Sequence, residues 1–198
     1  MTLKLDIIPV NPRAVYNQAM EILTLNAIQS RPYFDQIVTI YQAAFSQPPY
    51  NETLPDMLNF AARLPYHAVN HGFRCAVARP SPHAEIAGVA YGYAGLPRTW
   101  WYGLVAPALA EEKAEFWLGD YFELAELAVH PAWQGQGVGG LLHDALLKGL
   151  PYRTAALSTP QVETNAWHLY QRRGWVDLIE HFRFPGVPMV YRIMGLVL

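Results

Sequence analysis

Apolar and polar residues alternate along this chain with two periods, one typical of strands and one typical of helices. Near the start, Leu3, Leu5 and Ile7 alternate with polar neighbours and predict a strand that ends at Pro9. The strand period predicts further strands over 73–79, 85–93, 120–129, 153–158, 175–180 and 187–198. The helical period predicts helices over 15–28, 33–45, 55–64, 137–148 and 163–173, and an inserted helical segment over 99–116. Strands interleaved with helices indicate an α/β protein.

The segment 124–147 carries the most specific pattern in the chain. An apolar strand is followed by a short turn, a glycine cluster and an amphipathic helix, and the glycines are Gly135, Gly137, Gly139 and Gly140. The first amides of a helix have no partner within it, and the helix dipole adds partial positive charge there. Because glycine lacks a Cβ atom and permits φ > 0, a ligand can approach the backbone closely. The segment therefore predicts a binding site for an anion, most often a phosphate group.

A dinucleotide-binding fold is the first alternative, since Gly135, Gly137 and Gly140 satisfy G-x-G-x-x-G. That pattern requires a tight turn from strand to helix and an acidic residue at the end of the next strand. Here residues 130–133 separate the strand from the glycines, and the next predicted strand ends at Ser158 without an acid. No repeated βαβ unit precedes the segment, so the dinucleotide interpretation is not favoured.

The same residues resemble the central motif of the GNAT superfamily of N-acetyltransferases, [Arg/Gln]-x-x-Gly-x-[Gly/Ala]. Gln134, Gly137 and Gly139 fill its positions, and 166–175 is similar to the second motif of that family, Ala-x-x-Leu-Tyr-x-x-x-Gly-[Phe/Trp]. The resemblance implies one domain over 1–198, built on a twisted mixed sheet of about seven strands that splays between strands 4 and 5. It also implies acetyl-CoA as co-substrate.

The resemblance assigns candidate cofactor-binding residues to two places. The fourth strand offers free backbone groups to the pantetheine arm, and the turn after it wraps the pyrophosphate. These residues are Leu127, Ala128, Val129, Gln134, Gly135, Gln136, Gly137, Val138, Gly139 and Gly140. Asn165 contacts the pantetheine arm or caps the helix that begins nearby, and both interpretations stay open.

The resemblance also suggests catalytic residues. Tyr170 occupies the position of the general acid that protonates the leaving thiolate, although its place on an apolar helix face is also explained by packing. Glu123 and Glu126 are the candidate general bases, and strand alternation puts them on opposite faces. We expect Glu123 to be the base, with Glu126 as second choice because a β-bulge would reverse the alternation. A salt-bridged or exposed glutamate is the ordinary alternative for either.

Composition limits the remaining possibilities. A chain that is 52% hydrophobic with a net charge of −2 has ample material for a core and no basic field for nucleic acid or an anionic membrane. A lone Cys75 suits a reducing cytoplasm, and no cluster has the spacing of a metal site. His143 and Asp144 are expected to be exposed.

The predicted reaction is acetyl transfer to a primary amine of a small molecule or peptide. Tyr50, Tyr66, Trp100 and Trp101 are candidates for the acceptor pocket, or else pack a core or a homodimer surface. Two alternatives stay open: a catalytically silent CoA-binding sensor or scaffold, and an acyltransferase that uses a longer acyl-CoA.

Overall fold

The computed structural model describes residues 20–97 and 99–198. Its strands and helices, in chain order, are β1 (Glu21–Leu25), α1 (Ala27–Ser30), α2 (Phe34–Phe45), α3 (Leu54–Ala68), β2 (Arg74–Arg79), β3 (Gly88–Ala94), α4 (Trp100–Val105), α5 (Glu111–Leu118), β4 (Tyr121–Val129), α6 (Val138–Leu147), β5 (Thr154–Pro160), α7 (Asn165–Arg172), β6 (Val176–Phe182) and β7 (Tyr191–Val197). The strand predicted over 3–9 and the first part of the helix predicted over 15–28 lie outside the described residues.

The helix predicted over 15–28 is wrong where it overlaps β1. Residues Glu21–Leu25 pair antiparallel with β2, and Leu23 lies opposite Val77. The apolar spacing in β1 fits either period, so pairing with the neighbouring strand decides its conformation. A helix begins only after Asn26, whose Oδ1 accepts hydrogen bonds from Ile28 N and Gln29 N at 3.0 Å each.

The described strands form a seven-stranded sheet in the order β1-β2-β3-β4-β5-β7-β6. All neighbours are antiparallel except β4 and β5, which are parallel. The predicted mixed α/β sheet is confirmed. The inserted segment predicted over 99–116 contains α4 and α5.

Helices cover both faces of the sheet. Helix α6 buries Leu142 and Leu146 against one face, and α2 and α3 bury Ile37 and Phe60 against the other. Each such side chain contributes about 1.5–3 kcal/mol when it is fully buried. The α4–α5 segment packs Trp101 in a third cluster next to the start of β4. All three clusters include residues of β4, and the first and third also include residues of β5.

Candidate active site

Strands β4 and β5 part soon after they begin to pair. They share three residue pairs, and the last joins Glu123 to Ala156. Beyond it, β4 stays paired with β3, whereas β5 continues beside β7. The edge of β4 that faces β5 is therefore open from residue 124 to residue 129, which gives an extended ligand a strand edge to pair with.

The direction of the backbone groups on this edge follows from one hydrogen bond. His130 N donates to Ala87 O at 2.9 Å, so residue 130 turns towards β3. By alternation, Ala128 also turns its backbone towards β3, while Leu127 and Val129 turn theirs towards the opening. The Val129 carbonyl accepts a hydrogen bond from Gln134 Nε2 at 2.9 Å. Gln134 thereby ties the glycine turn to the end of β4.

The turn after β4 presents unpaired amides. Gly135 and Gly137 have φ of 72° and 83°, a conformation that favours glycine, and Gly137 precedes the first residue of α6. Within the described part of the chain, no group accepts a hydrogen bond from the amides of residues 135–139. Residues 134–137 are exposed, while Val138 is buried in the core. The exposed amides at the start of α6 can receive an anion.

Two of the four glycines have neighbours that explain them by packing. A Cβ atom on Gly139 would lie 3.3 Å from Leu169 Cδ1, and one on Gly140 would collide with the Arg173 guanidinium. The Gly140 amide already donates to Gly137 O at 3.0 Å. Gly140 therefore makes room for Arg173, which pairs with Asp144 at 2.7 Å.

A β-bulge in β4 changes which face its glutamates occupy. Opposite β3, Tyr91 pairs with Glu126 and Gly92 pairs with Leu124, so Ala125 is the extra residue. Leu124, Leu127 and their neighbours pack under α6, whereas Ala125 and Ala128 pack under α2 and α3. The expectation that Glu123 and Glu126 lie on opposite faces is wrong, because the bulge puts both on the face covered by α2 and α3.

Glu126 lies where β4 and β5 have separated, in a surrounding rich in tyrosine. Burial raises its pKa to about 8, the Glu52 carboxylate adds to this, and the Arg63 guanidinium and the Leu127 amide oppose it. Its charge in turn acts on the hydroxyls around it, which belong to Tyr41, Tyr50, Tyr91, Tyr93, Tyr170 and Tyr191. A carboxyl group with such a pKa can hold and release a proton near neutral pH.

Glu123 is more enclosed. It is 7% exposed, and its Oε1 accepts a hydrogen bond from the Tyr93 hydroxyl at 3.3 Å. Its Oε2 is buried without a partner among the described residues. Burial raises the pKa of Glu123 to about 7, and the bond from Tyr93 opposes this. Since Glu123 is also the last residue paired with β5, it lies at the closed end of the gap.

Tyr170, on α7, packs in the core as the second interpretation predicted, and its role as general acid stays a prediction. Its ring packs 5.6 Å from Trp175 and 6.4 Å from His143, inside the cluster under α6. Burial raises its pKa far above the ordinary value, and the nearby Tyr50 hydroxyl and Glu126 carboxyl add to the effect. The hydroxyl therefore keeps its proton at neutral pH and is placed near Tyr50 and Glu126.

The expectation of an exposed His143 is wrong, whereas Asp144 is exposed as expected. His143 is 4% exposed, and its Nε2 accepts a hydrogen bond from Trp175 Nε1 at 2.9 Å. Its Nδ1 lies 2.8 Å from Asp144 Oδ1, which also receives Arg173 Nε at 2.7 Å. These bonds fix α6, the helix that follows the glycine turn, to α7 and the start of β6.

The remaining predicted site residues differ in burial and in their distance from Glu126. Tyr50 lies near Glu126 and packs edge-on against Phe45 at 4.6 Å, whereas Tyr66 and Trp100 are exposed. Trp101 is 7% exposed and packs against Tyr121, as the core alternative predicted. Thr164 Oγ1, and not Asn165, caps α7 by accepting from Trp167 N at 3.0 Å. The capping alternative for the exposed Asn165 is therefore wrong.

Four residues near Glu126 were missed by the sequence analysis: Glu52, Arg63, Tyr91 and Tyr191. They come from a loop, from α3, from β3 and from β7, so only the folded sheet brings them together. Their sequence surroundings contain no motif. Within residues 20–97 and 99–198 there is no helix with the length and apolarity to cross a membrane, and no group of three or more metal-ligating side chains.

Comparison with known proteins agrees with this geometry. A family model described as an acetyltransferase (GNAT) domain matches residues 84–177. The GCN5-like protein acetyltransferase Rv2170 from Mycobacterium tuberculosis (strain ATCC 25618 / H37Rv) is 38% identical over 124 residues. The matched region covers 57% of this chain and 59% of that protein, so the chain spans little more than half the length of this relative.

Solved structures share the fold. A structure described as histone acetyltransferase HPA2 and related acetyltransferase from Corynebacterium glutamicum ATCC 13032 has a TM-score of 0.60 at 22% identity, covering 90% of this chain and 96% of that one. The NatC complex bound to Gag peptide and CoA has a TM-score of 0.58 at 17% identity, covering 90% and 98%. At these identities the likeness shows the fold alone.

Proposed function

We propose that the chain belongs to the GNAT family of acetyltransferases, whose domain model matches residues 84–177, and that it transfers an acetyl group from acetyl-CoA directly to a primary amine. The observation that carries the proposal is the opening between β4 and β5 beside the unpaired amides of residues 135–139. Glu126 lies beside that opening, and its carboxyl group is within electrostatic range of the Tyr170 hydroxyl. We also propose that residues 1–198 act as one domain.

The residues present fit coenzyme A. The turn at 135–139 offers backbone donors to a diphosphate, and charge-assisted hydrogen bonds of this kind are stronger than neutral ones. The backbone groups of Leu127 and Val129 face the opening, where they can pair with the amides of a pantetheine arm. Acetyl-CoA, when bound, supplies the thioester whose carbonyl carbon the amine attacks.

Glu126 serves as the general base in this proposal. An amine must lose a proton to attack a thioester, and an alkylammonium with a pKa near 10.4 is about one part in 10³ neutral at pH 7. Glu126 lies beyond the last pair of β4 with β5, and its pKa of about 8 suits it to take that proton. Glu123, our first choice from the sequence, lies deeper, and its role as base stays a prediction.

Tyr170 serves as the hydrogen-bond donor to the departing sulfur. Its hydroxyl keeps its proton at neutral pH, because burial holds its pKa far above the ordinary value. A donor at this position stabilises the negative charge that develops on the thiolate. The amine would reach the opening from the side of Tyr50 and Glu126, opposite the helix α6.

Release of free thiol from acetyl-CoA, measured over a panel of amines, tests this function. With a productive amine, Glu126→Gln is expected to lower kcat about 10²–10⁴-fold, the range of general-base contributions. Tyr170→Phe is expected to lower kcat while calorimetry gives an unchanged affinity for CoA. Glu111→Gln, which changes an exposed acid on α5, is the matched control and is expected to act as wild type.

Two results would contradict the proposal in different ways. If calorimetry shows that CoA binds but no amine gives turnover, the protein is a CoA-binding module without catalysis. Calorimetry without heat for CoA would remove the site at 135–139 altogether. Turnover with long acyl-CoA in preference to acetyl-CoA would keep the fold and the site but change the acyl group.

A further inference from the structure

An open, shallow surface of about 480 Å³, which we call the α3 groove, lies along the outer side of α3. Its lining comes from one stripe of α3 and the chain just after it, at positions spaced by three or four residues, so they share a face. The lining residues are Asn59, Ala62, Arg63, Tyr66, His67 and Asn70. The stripe is separate from the buried side of α3, which presents Phe60 and Leu64 to the core. The groove is therefore a surface that the core does not explain.

Arg63 connects this groove to the candidate active site. Its guanidinium lowers the pKa of both Glu126 and Glu52, so it lies within electrostatic range of the two carboxyl groups. Arg63 is exposed and forms no ion pair within the described part of the chain. A carboxylate of an acceptor whose amine reaches Glu126 can therefore also come within range of the Arg63 charge.

Arg63 also gives the groove its only positive charge at neutral pH among the six lining residues. The other titratable candidate is His67, whose Nδ1 lies 3.1 Å from the Tyr91 hydroxyl. Burial and the charge of Arg63 lower the pKa of His67 to about 4, so His67 is neutral. The remaining polar groups are the carboxamides of Asn59 and Asn70, which both donate and accept hydrogen bonds, as a peptide backbone requires.

The length of the groove suits an extended chain. From residue 59 to Ala68, the last residue of α3, the helix rises roughly 14 Å, at 1.5 Å for each residue, and Asn70 lies just beyond its end. An extended peptide covers this distance with about four or five residues, at 3.3 Å for each residue. A small amine would fill only a fraction of it.

We propose that the α3 groove binds the polypeptide part of a peptide acceptor, and that Arg63 selects an acidic side chain near the acetylated amine. The inference rests on the proposed acetyltransferase function and deepens it by naming the substrate class. Arg63 is here a specificity residue: it pairs with a carboxylate of the peptide, and the carboxamides of Asn59 and Asn70 bond to its backbone.

Matched peptides with one free amine test the proposal. Each set has the same sequence with Glu, Gln or Lys at one position, tried in turn at the five residues that follow the amine. For the wild type, kcat/KM of the Glu peptide is expected to exceed that of the Gln peptide up to about fivefold at the best position, the upper range for an exposed ion pair. Added salt reduces this ratio.

Variants at Arg63 test whether its charge causes the preference for the Glu peptide. Arg63→Ala is expected to bring the ratio of kcat/KM for the Glu peptide to kcat/KM for the Gln peptide to one. Arg63→Glu is expected to give the Lys peptide the highest kcat/KM. Because both substitutions also change the pKa of Glu126, they alter all peptides alike, and only the ratio within one variant reports selection. Arg31→Ala, at an exposed arginine before α2, is the control and keeps the wild-type ratio.

Each outcome decides a different statement. An unchanged ratio in Arg63→Ala overturns the inference, as does turnover of small amines without turnover of any peptide; both leave the acetyltransferase function standing. Absence of thiol release with every amine and peptide overturns the function together with the inference.

Discussion

The Glu126 carboxyl group has a pKa of about 8, raised mainly by burial, so as a base it is active only in its deprotonated and less favoured form. With that pKa, about one tenth of the enzyme carries an ionised Glu126 at pH 7. We expect kcat/KM to rise with pH about tenfold between neutrality and a plateau above the pKa, because deprotonation creates the active form.

The two charged neighbours of Glu126 move this profile in opposite directions. Glu52 raises the pKa of Glu126 and Arg63 lowers it. Glu52→Gln is therefore expected to shift the midpoint of the profile to lower pH, and Arg63→Ala to shift it to higher pH. In Glu126→Gln we expect the rise of kcat/KM with pH to be absent, because the titrating carboxyl group is gone, and the remaining activity to be low.

The assay is thiol release at saturating acetyl-CoA, followed over a range of pH values. The acceptor must have an ammonium pKa well below that of Glu126, since otherwise the titration of the amine itself produces the same rise. Such an amine attacks in its neutral form and still needs Glu126 to accept its proton as the C–N bond forms. Thermal unfolding of each variant at every pH provides the control for loss of structure. A flat profile with such an acceptor, or midpoints that move together in Glu52→Gln and Arg63→Ala, would refute the assignment.

Two further predictions concern the contacts between α6 and the chain that follows α7. Gly140→Ala is expected to displace the Arg173 guanidinium and to lower the free energy of unfolding by no more than about 1 kcal/mol, the value of an exposed ion pair. When urea unfolding is measured for the double variant, this loss is not additive with that of Arg173→Ala. Trp175→Phe leaves the buried His143 Nε2 without a donor and is expected to cost about 1–3 kcal/mol, whereas Trp167→Phe, which removes an N–H that has no partner among the described residues, costs less. If Trp175→Phe and Trp167→Phe lower the free energy of unfolding in urea by equal amounts, the hydrogen-bond argument is contradicted.

The fold and the exposed glycine turn after β4 were predictable, because local pattern determines both. The glycine turn and α6 follow one another within a single stretch of chain, and helical spacing alone identifies the buried face with Leu142 and Leu146. The positive φ at Gly135 and Gly137 is also a local property, since glycine adopts it without strain. Residues that act through their neighbours in sequence can be found from sequence.

The surroundings of Glu126 were less predictable, because their geometry depends on contacts between distant segments. Strand alternation puts Glu123 and Glu126 on opposite faces, and only the pairing of β4 with β3 shows that Ala125 is an extra residue. A bulge of this kind has no unique sequence pattern, although it turns every later side chain of the strand to the other face. The pKa of Glu126 depends further on Arg63, which lies 63 positions before it in the chain. The environment of the residue that we propose as the base is thus set by strand pairing and by α3, which covers the same face of the sheet, and neither can be read from a single amino-acid sequence.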